Sequence, residues 1–182
     1  MNRRIAIQNL ALILGGAIVF PSCNQDDPRS IKLKNFDLSD NQIKLVESIT
    51  DTIIPKTATL GAKDLNLKDF VFKMLDDCTS KNDQQKFFSG ASQFEERCNN
   101  LHKKPFFDCN VLQREAILNS IEQQQNNSSE DLYYFYKYVK TQTVFGFKQS
   151  KYFLTSIKKY EMIPGHYESH YPVSKLKKTH LT

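Results

Sequence analysis

The sequence predicts an all-α fold: a compact bundle of about five helices, preceded by an N-terminal signal segment and followed by an irregular C-terminal tail. From residue 39 onward, apolar residues recur at three- and four-residue steps, as on one face of a helix. Only six glycines and six prolines interrupt 182 residues, too few for the frequent turns of an all-β domain. The content of 40% hydrophobic and 25% charged residues is that of an ordinary globular domain.

Residues 1–22 have the composition of an export signal. Arg3 and Arg4 precede an uninterrupted apolar run over residues 10–20, which is the order found in secretory signals. As a helix this run would rise about 16 Å, roughly half of the hydrocarbon core, so it is too short to span a membrane. The adjacent arginines favour the twin-arginine route, which exports folded proteins, and ordinary Sec export stays open as the alternative.

Cys23 resembles the lipidated first residue of a mature lipoprotein, because a small residue precedes it and a polar stretch follows. We therefore expect residues 23–38 to be a tether and residues 39–182 to be the helical domain. A lipid on Cys23 would hold the protein on the periplasmic face of a membrane without spanning it. The formal net charge of +5, two units of which come from Arg3 and Arg4, is too small and scattered to indicate nucleic-acid binding.

The helices of the domain follow in order. Ser39 and Gln42 have the spacing of a capping box, and Pro55 ends the first helix. Further helices are predicted over residues 67–78 and 83–101, from an N-cap at Asp108 to about residue 122, and over residues 130–147. The side chains expected to face the core are Ile43, Val46, Ile49, Thr50, Ile53, Phe70, Val71, Met74, Leu75, Phe87, Ala91, Phe94, Cys98, Leu101, Leu112, Ile117, Leu118 and Ile121.

The fifth helix is unusually aromatic. Its rings cover most of the helix circumference, so one amphipathic face cannot hide them all; they are Tyr133, Tyr134, Phe135, Tyr136 and Tyr138. Either the helix is central to the bundle or part of it is an interface, where tyrosine and phenylalanine are enriched. We expect central burial, with an interface as the alternative.

Three cysteines follow Cys23, and an exported protein meets an oxidising compartment. Cys98 and Cys109 flank a turn, so a disulfide between them would close a loop of about a dozen residues and contribute roughly 3 kcal/mol. Cys78 would lie some 22 Å from Cys98 along an antiparallel helix, beyond the Cα separation of about 7 Å that a disulfide tolerates. We expect a Cys98–Cys109 disulfide and a buried free thiol at Cys78; alternatively, all three are small core residues.

The sequence offers no catalytic constellation. His166 and His170 have a helical ligand spacing, but the neighbouring prolines prevent a stable helix from holding it. Asp76–Asp77 and Glu95–Glu96 are adjacent carboxylates that diverge by about 100° on a helix, and we expect both pairs to be solvated. Nucleotide-binding loops and serine-nucleophile motifs are absent from the sequence. We therefore expect no catalytic, cofactor-binding or metal-binding residue in this chain.

Several strings of the sequence share a likeness to one family. They are Ile49–Pro55, Thr59–Lys63, Asp69–Val71, Met74–Cys78, Thr143–Ser150 and Ile163–Tyr167. Together with Arg3 and Arg4, they resemble the gluconate 2-dehydrogenase subunit 3 family over about residues 40–167. The most specific element is the Asp-Thr-Ile-Ile-Pro block, Asp51–Pro55, followed by Gly61 and Ala62.

The resemblance implies an accessory subunit rather than a catalyst. Members of the family that this chain resembles are small exported subunits of membrane-associated dehydrogenases, which oxidise sugars or sugar acids. The large flavoprotein partner, of the glucose-methanol-choline type, holds FAD, and a cytochrome c subunit with haem often takes the electrons onward. The small subunit lends its signal to the folded partner and supports its maturation. The other interpretation left open is a free-standing lipoprotein binding module with no enzymatic partner.

The segment between residues 145 and 167 is a candidate docking surface, because aromatic residues are dense there beside glycine and proline. The candidates are Phe145, Phe147, Tyr152, Phe153, Pro164 and Tyr167.

Overall fold

The computed structural model describes residues 33–123 and 129–158, together with residues 163, 165, 169 and 170. Within these residues the fold is all helical and contains no strand, which confirms the predicted class. The α-helices are α1 (Asp40–Ile53), α2 (Leu67–Cys78), α3 (Lys81–His102), α4 (Val111–Gln123) and α5 (Glu130–Gln149). A 3-10 turn (Phe106–Asp108) lies between α3 and α4, and a π-helical turn (Phe153–Ile157) follows α5.

Hydrogen bonds from side chains fix the start of α1. The backbone N–H of Gln42 donates to the Ser39 hydroxyl (3.3 Å), and the backbone N–H of Ser39 donates to the Gln42 side-chain oxygen (2.9 Å). The predicted capping box is therefore confirmed. α3 begins two residues earlier than predicted, because the Ser80 hydroxyl accepts from the Asp83 backbone N–H and caps the helix there.

The predicted N-cap of α4 is wrong. Asp108 belongs to the 3-10 turn, and the capping side chain is that of Asn110. The Asn110 amide oxygen accepts from the Gln113 backbone N–H (2.9 Å), and the Gln113 side chain accepts from the Asn110 backbone N–H (3.1 Å). This reciprocal pair satisfies two N-terminal donors at once, which is why α4 starts after Asn110.

α5 is the central helix of the bundle. It packs against α1, α2, α3 and α4, so its predicted central position is confirmed. Of the five rings, Phe135 and Tyr136 are buried, and Tyr133, Tyr134 and Tyr138 are half-buried. On its inner side the Phe135 ring meets the Phe87 ring (4.9 Å between centroids) and the Phe94 ring (5.6 Å), both edge to face. Phe94 in turn meets Phe106 of the 3-10 turn at 5.1 Å, so one aromatic cluster joins α3, α5 and that turn.

The burial of several side chains differs from the prediction. Leu101 and Leu112, in the last turn of α3 and the first turn of α4, are 57% and 77% exposed. Leu45 and Phe72, which the helical stripes did not include, are buried instead. The predicted core residues that are only half-buried are Ile43, Ile53, Phe70 and Met74.

Two glycines let α5 approach its neighbours closely. A Cβ at Gly90 of α3 would lie 2.1 Å from the Asp131 carbonyl oxygen and 2.7 Å from the Phe135 Cβ. A Cβ at Gly146 of α5 would lie 2.7 Å from the Phe70 ring of α2. The contact at Gly90 is with backbone, so the α3–α5 spacing depends on that residue having no side chain.

Asp76 was expected to be solvated, and this expectation is wrong. Its buried carboxylate accepts hydrogen bonds from the backbone N–H groups of Lys34 (2.8 Å) and Asn35 (2.9 Å), and from the Asn35 side chain (2.9 Å). Burial raises the pKa of Asp76, but these hydrogen bonds outweigh it and hold the pKa below its usual range. The segment before α1 is thereby fastened to the end of α2.

None of the helices in the described part of the chain is long and apolar enough to cross a membrane. The signal residues Arg3 and Arg4 and the lipidation candidate Cys23 lie outside the described residues.

Candidate partner-docking groove

An open groove of about 460 Å³ follows one side of α5, and we call it the α5 groove. Its lining residues are Glu122, Tyr133, Tyr136, Lys137, Lys140, Thr141, Val144, Phe145 and Lys148. All except Glu122, from the last turn of α4, belong to α5 and recur at three- or four-residue steps, which places them on one face of the helix. From Tyr133 to Lys148 this face extends about 22 Å.

Glu122 joins α4 to α5 at this groove. One carboxylate oxygen accepts from the Tyr136 hydroxyl (2.8 Å) and the other from the Lys140 ammonium group (2.5 Å). These bonds, chiefly the one from Lys140, hold the pKa of Glu122 below its usual range. Burial, and then the neighbouring carboxylate, raise the pKa of Tyr136, so its hydroxyl keeps its proton at neutral pH and acts as a donor.

The groove carries an excess of positive charge. Lys140 is compensated by Glu122. The Lys137 ammonium group lies over the Tyr133 ring, 5.7 Å from its centroid. Within the described residues, neither Lys137 nor Lys148 forms an ion pair, and both are exposed. Two uncompensated lysines therefore border an otherwise largely apolar surface.

Of the predicted docking residues that the structure describes, only Phe145 lies in the α5 groove. Phe145 lines the groove, is 46% exposed, and its ring lies 6.0 Å from that of Phe70. Phe147 and Phe153 are half-buried and pack ring to ring at 5.5 Å outside the groove. The half-buried Tyr152 is also outside the groove.

Pro164 and Tyr167, the remaining docking candidates, lie outside the described residues. Sequence reasoning missed the lysines of the groove, although Lys137, Lys140 and Lys148 share the helical spacing of Tyr133 and Val144 and could have been found from it.

The three described cysteines all carry free thiols. Cys98 and Cys109 are buried, and the Cys109 thiol donates to the Pro105 carbonyl oxygen at 3.6 Å. Burial, together with the neighbouring Cys109, raises the pKa of Cys98 to about 12, which makes it a poor nucleophile. The Cys98–Cys109 disulfide is not formed in this structure and stays a prediction for the oxidised chain. Cys78 is exposed, so the expectation of a buried thiol there is wrong.

The other titratable side chains that the sequence singled out do not form a site in the described part of the chain. In the described ranges, no group of three or more His, Cys, Asp or Glu side chains is placed to hold a metal ion. Asp77 and Glu96 are exposed, as expected, whereas Glu95 is half-buried and burial raises its pKa. His170 is exposed and lies beside the Ser169 hydroxyl, and His166 is outside the described residues.

The chain is thus a small all-α protein with an open, lysine-bordered groove along its central helix. The family model of gluconate 2-dehydrogenase subunit 3 matches residues 40–165. This match covers well over half of the sequence and includes the whole α5 groove, so the chain belongs to the gluconate 2-dehydrogenase subunit 3 family. A search of curated proteins and a search of solved structures found no match.

Proposed function

We propose that this chain is the non-catalytic small subunit of a FAD-dependent dehydrogenase that oxidises a sugar or a sugar acid, and that it aids the export and maturation of the large flavoprotein subunit. The match to the subunit 3 family over residues 40–165 carries the proposal. The family name describes one subunit of a dehydrogenase, so a larger partner that holds the substrate is expected.

The division of labour follows from the export requirement. A partner that folds around FAD before export needs a signal that accepts folded cargo. Arg3 and Arg4 on the small subunit supply that signal, and the two subunits cross the membrane together. A lipid on Cys23 then keeps the complex at the periplasmic face of the membrane. A cytochrome c subunit with haem is the expected electron acceptor where one is present.

The attachment of Lys34 and Asn35 to Asp76 at the end of α2 supports the proposal that the signal and the partner travel together. Because Asp76 binds the backbone of Lys34 and Asn35, only about ten residues separate Cys23 from the folded domain. That stretch reaches at most roughly 35 Å when fully extended. A partner bound to the domain is therefore linked to the signal and to the anchor by a short connection.

The test is the double substitution Arg3→Lys/Arg4→Lys in the native host. We expect the FAD-bearing companion to stay in the cytoplasmic fraction, because the twin-arginine route reads the arginine pair and not its charge alone. Arg29→Lys is the matched control, since it lies beyond Cys23, and should leave export unchanged. Unchanged export of the companion in the double variant would contradict the signal-lending role.

A pull-down in mild detergent from native membranes tests the partnership itself. The wild-type chain should retain a yellow, FAD-bearing protein. A colourless, monodisperse chain without a companion would instead support the free-standing lipoprotein binding module.

A further inference from the structure

We propose that the α5 groove is where the flavoprotein partner docks, and that it receives an acidic segment of that partner bearing an apolar or aromatic side chain. The identity of the partner rests on the proposed function. The chemistry of the occupant comes from the groove itself.

The floor of the groove suits an apolar side chain. Val144 and Tyr133 are half-buried, and Phe145 leaves nearly half of its surface exposed beside them. The Phe145 ring packs against the Phe70 ring, with the centroids 6.0 Å apart, and Tyr136 is held by its hydrogen bond to Glu122. A surface whose rings are already held in place loses little side-chain entropy when a partner covers it.

The edges of the groove select the charge of the occupant. Lys137 and Lys148 lie eleven residues apart on one helix, which is about 16 Å. Neither has a carboxylate partner among the described residues, whereas the neighbouring Lys140 is neutralised by Glu122. Carboxylates on an incoming segment would pair with the two open lysines, which speeds encounter and selects acidic partners.

The chain's own remaining segments do not fit this requirement. Residues 124–128 carry no charge. Before residue 33 the sequence has four basic residues and two acidic ones: Arg3, Arg4, Arg29 and Lys32, against Asp26 and Asp27. After residue 158 it again has four basic residues and two acidic ones: Lys159, Lys175, Lys177 and Lys178, against Glu161 and Glu168. A second copy docking through the same face would oppose lysine to lysine across the symmetry axis. The occupant we infer is therefore an acidic segment of a different chain.

The test reverses the two open charges with Lys137→Glu/Lys148→Glu. Both side chains are exposed, and neither has a carboxylate partner among the described residues, so the helical fold, checked by circular dichroism, should be unchanged. The probe is the FAD-bearing companion captured by the wild-type chain from native membranes, released by high salt and added back. We expect wild-type binding to weaken with rising salt, and the double variant to bind at least about tenfold more weakly at low salt.

Two further variants make the result specific to the groove. Lys63→Glu/Lys81→Glu changes the net charge equally at two exposed lysines outside the groove, and its binding should stay within about twofold of wild type. Thr141→Trp fills the groove without altering charge and should also weaken binding about tenfold or more.

The outcomes separate this inference from the proposed function. A wild-type chain that captures no flavoprotein overturns both. A wild-type chain that captures it, with Lys137→Glu/Lys148→Glu binding equally well, overturns only the docking site. If the double variant keeps the companion but loses binding to vesicles of anionic phospholipid, the groove is a membrane contact and the inference is wrong.

Discussion

The two sides of α5 have similar aromatic residues but opposite environments. On the inner side Phe135, Val139 and Thr143 are fully buried, and the rings around Phe135 meet edge to face. On the groove side, exposed Lys137 lies between Tyr133 and Phe145 along the helix, and exposed Lys148 follows Phe145. Aromatic density alone therefore did not decide which side became core. The residues placed between the rings decided it, because a lysine ammonium group is costly to bury without a partner.

Tyrosines occupy the boundary between these two sides. The Tyr136 hydroxyl donates to Glu122, and the Tyr138 hydroxyl bonds with that of Thr79 at 3.0 Å. Each ring is packed while its polar end has a hydrogen-bond partner, as expected of amphipathic rings. Phe135 lies inside, Tyr136 and Tyr138 lie at the boundary, and Lys137 and Lys148 lie outside, so the inner side of the helix should govern stability and its outer side binding.

The largest effect expected from this contrast is that of Phe135→Ala. Removing the central ring leaves a cavity between α3 and α5 and should lower the free energy of unfolding by about 3–5 kcal/mol. Thr141→Ala, on the exposed side of the same helix, should change it by less than about 0.5 kcal/mol. Urea unfolding followed by circular dichroism measures both. Equal losses in the two variants would remove the distinction between the sides.

A smaller loss is expected at the helix crossings. Gly90→Ala places a methyl group against the Asp131 carbonyl oxygen, and backbone cannot yield as a side chain can, so the loss should be about 1–3 kcal/mol. Gly146→Ala meets the half-buried Phe70 ring, which can move, so it should cost less. Gly165→Ala, whose methyl group would meet no described atom within 4 Å, should be neutral. Thermal unfolding that ranked Gly146→Ala above Gly90→Ala would contradict this account.

The smallest effect is expected on the outer side, from Glu122→Gln. The carboxylate is half-exposed, so its ion pair should contribute less than about 1 kcal/mol at neutral pH. Because the folded pKa of Glu122 is depressed, this contribution is present above the unfolded pKa of about 4.3 and is lost as the pH falls through the folded value. The difference in unfolding free energy between wild type and variant should therefore vanish at low pH. A difference that persisted there would show that the side chain acts through packing.

Local signals in the sequence predicted much of the fold. The bounds of α2 and the capping box at Ser39 are as predicted, since both depend on neighbouring residues. Asp108 failed as a cap because Asn110, two residues later, competes for the same role. Asp76 failed as a solvated group because the residues that cover it are more than forty positions earlier in the chain.

The sequence by itself determined the all-α class, the family resemblance and the face of α5 on which each residue lies, because helical periodicity is set by residues three and four apart. Only the tertiary structure decided which of those faces is covered. The meeting of Glu122 with Tyr136 and Lys140 depends on where α4 ends beside α5, and the burial of Asp76 depends on where the segment before α1 returns to α2. Such contacts join distant parts of the chain, so no short-range pattern encodes them.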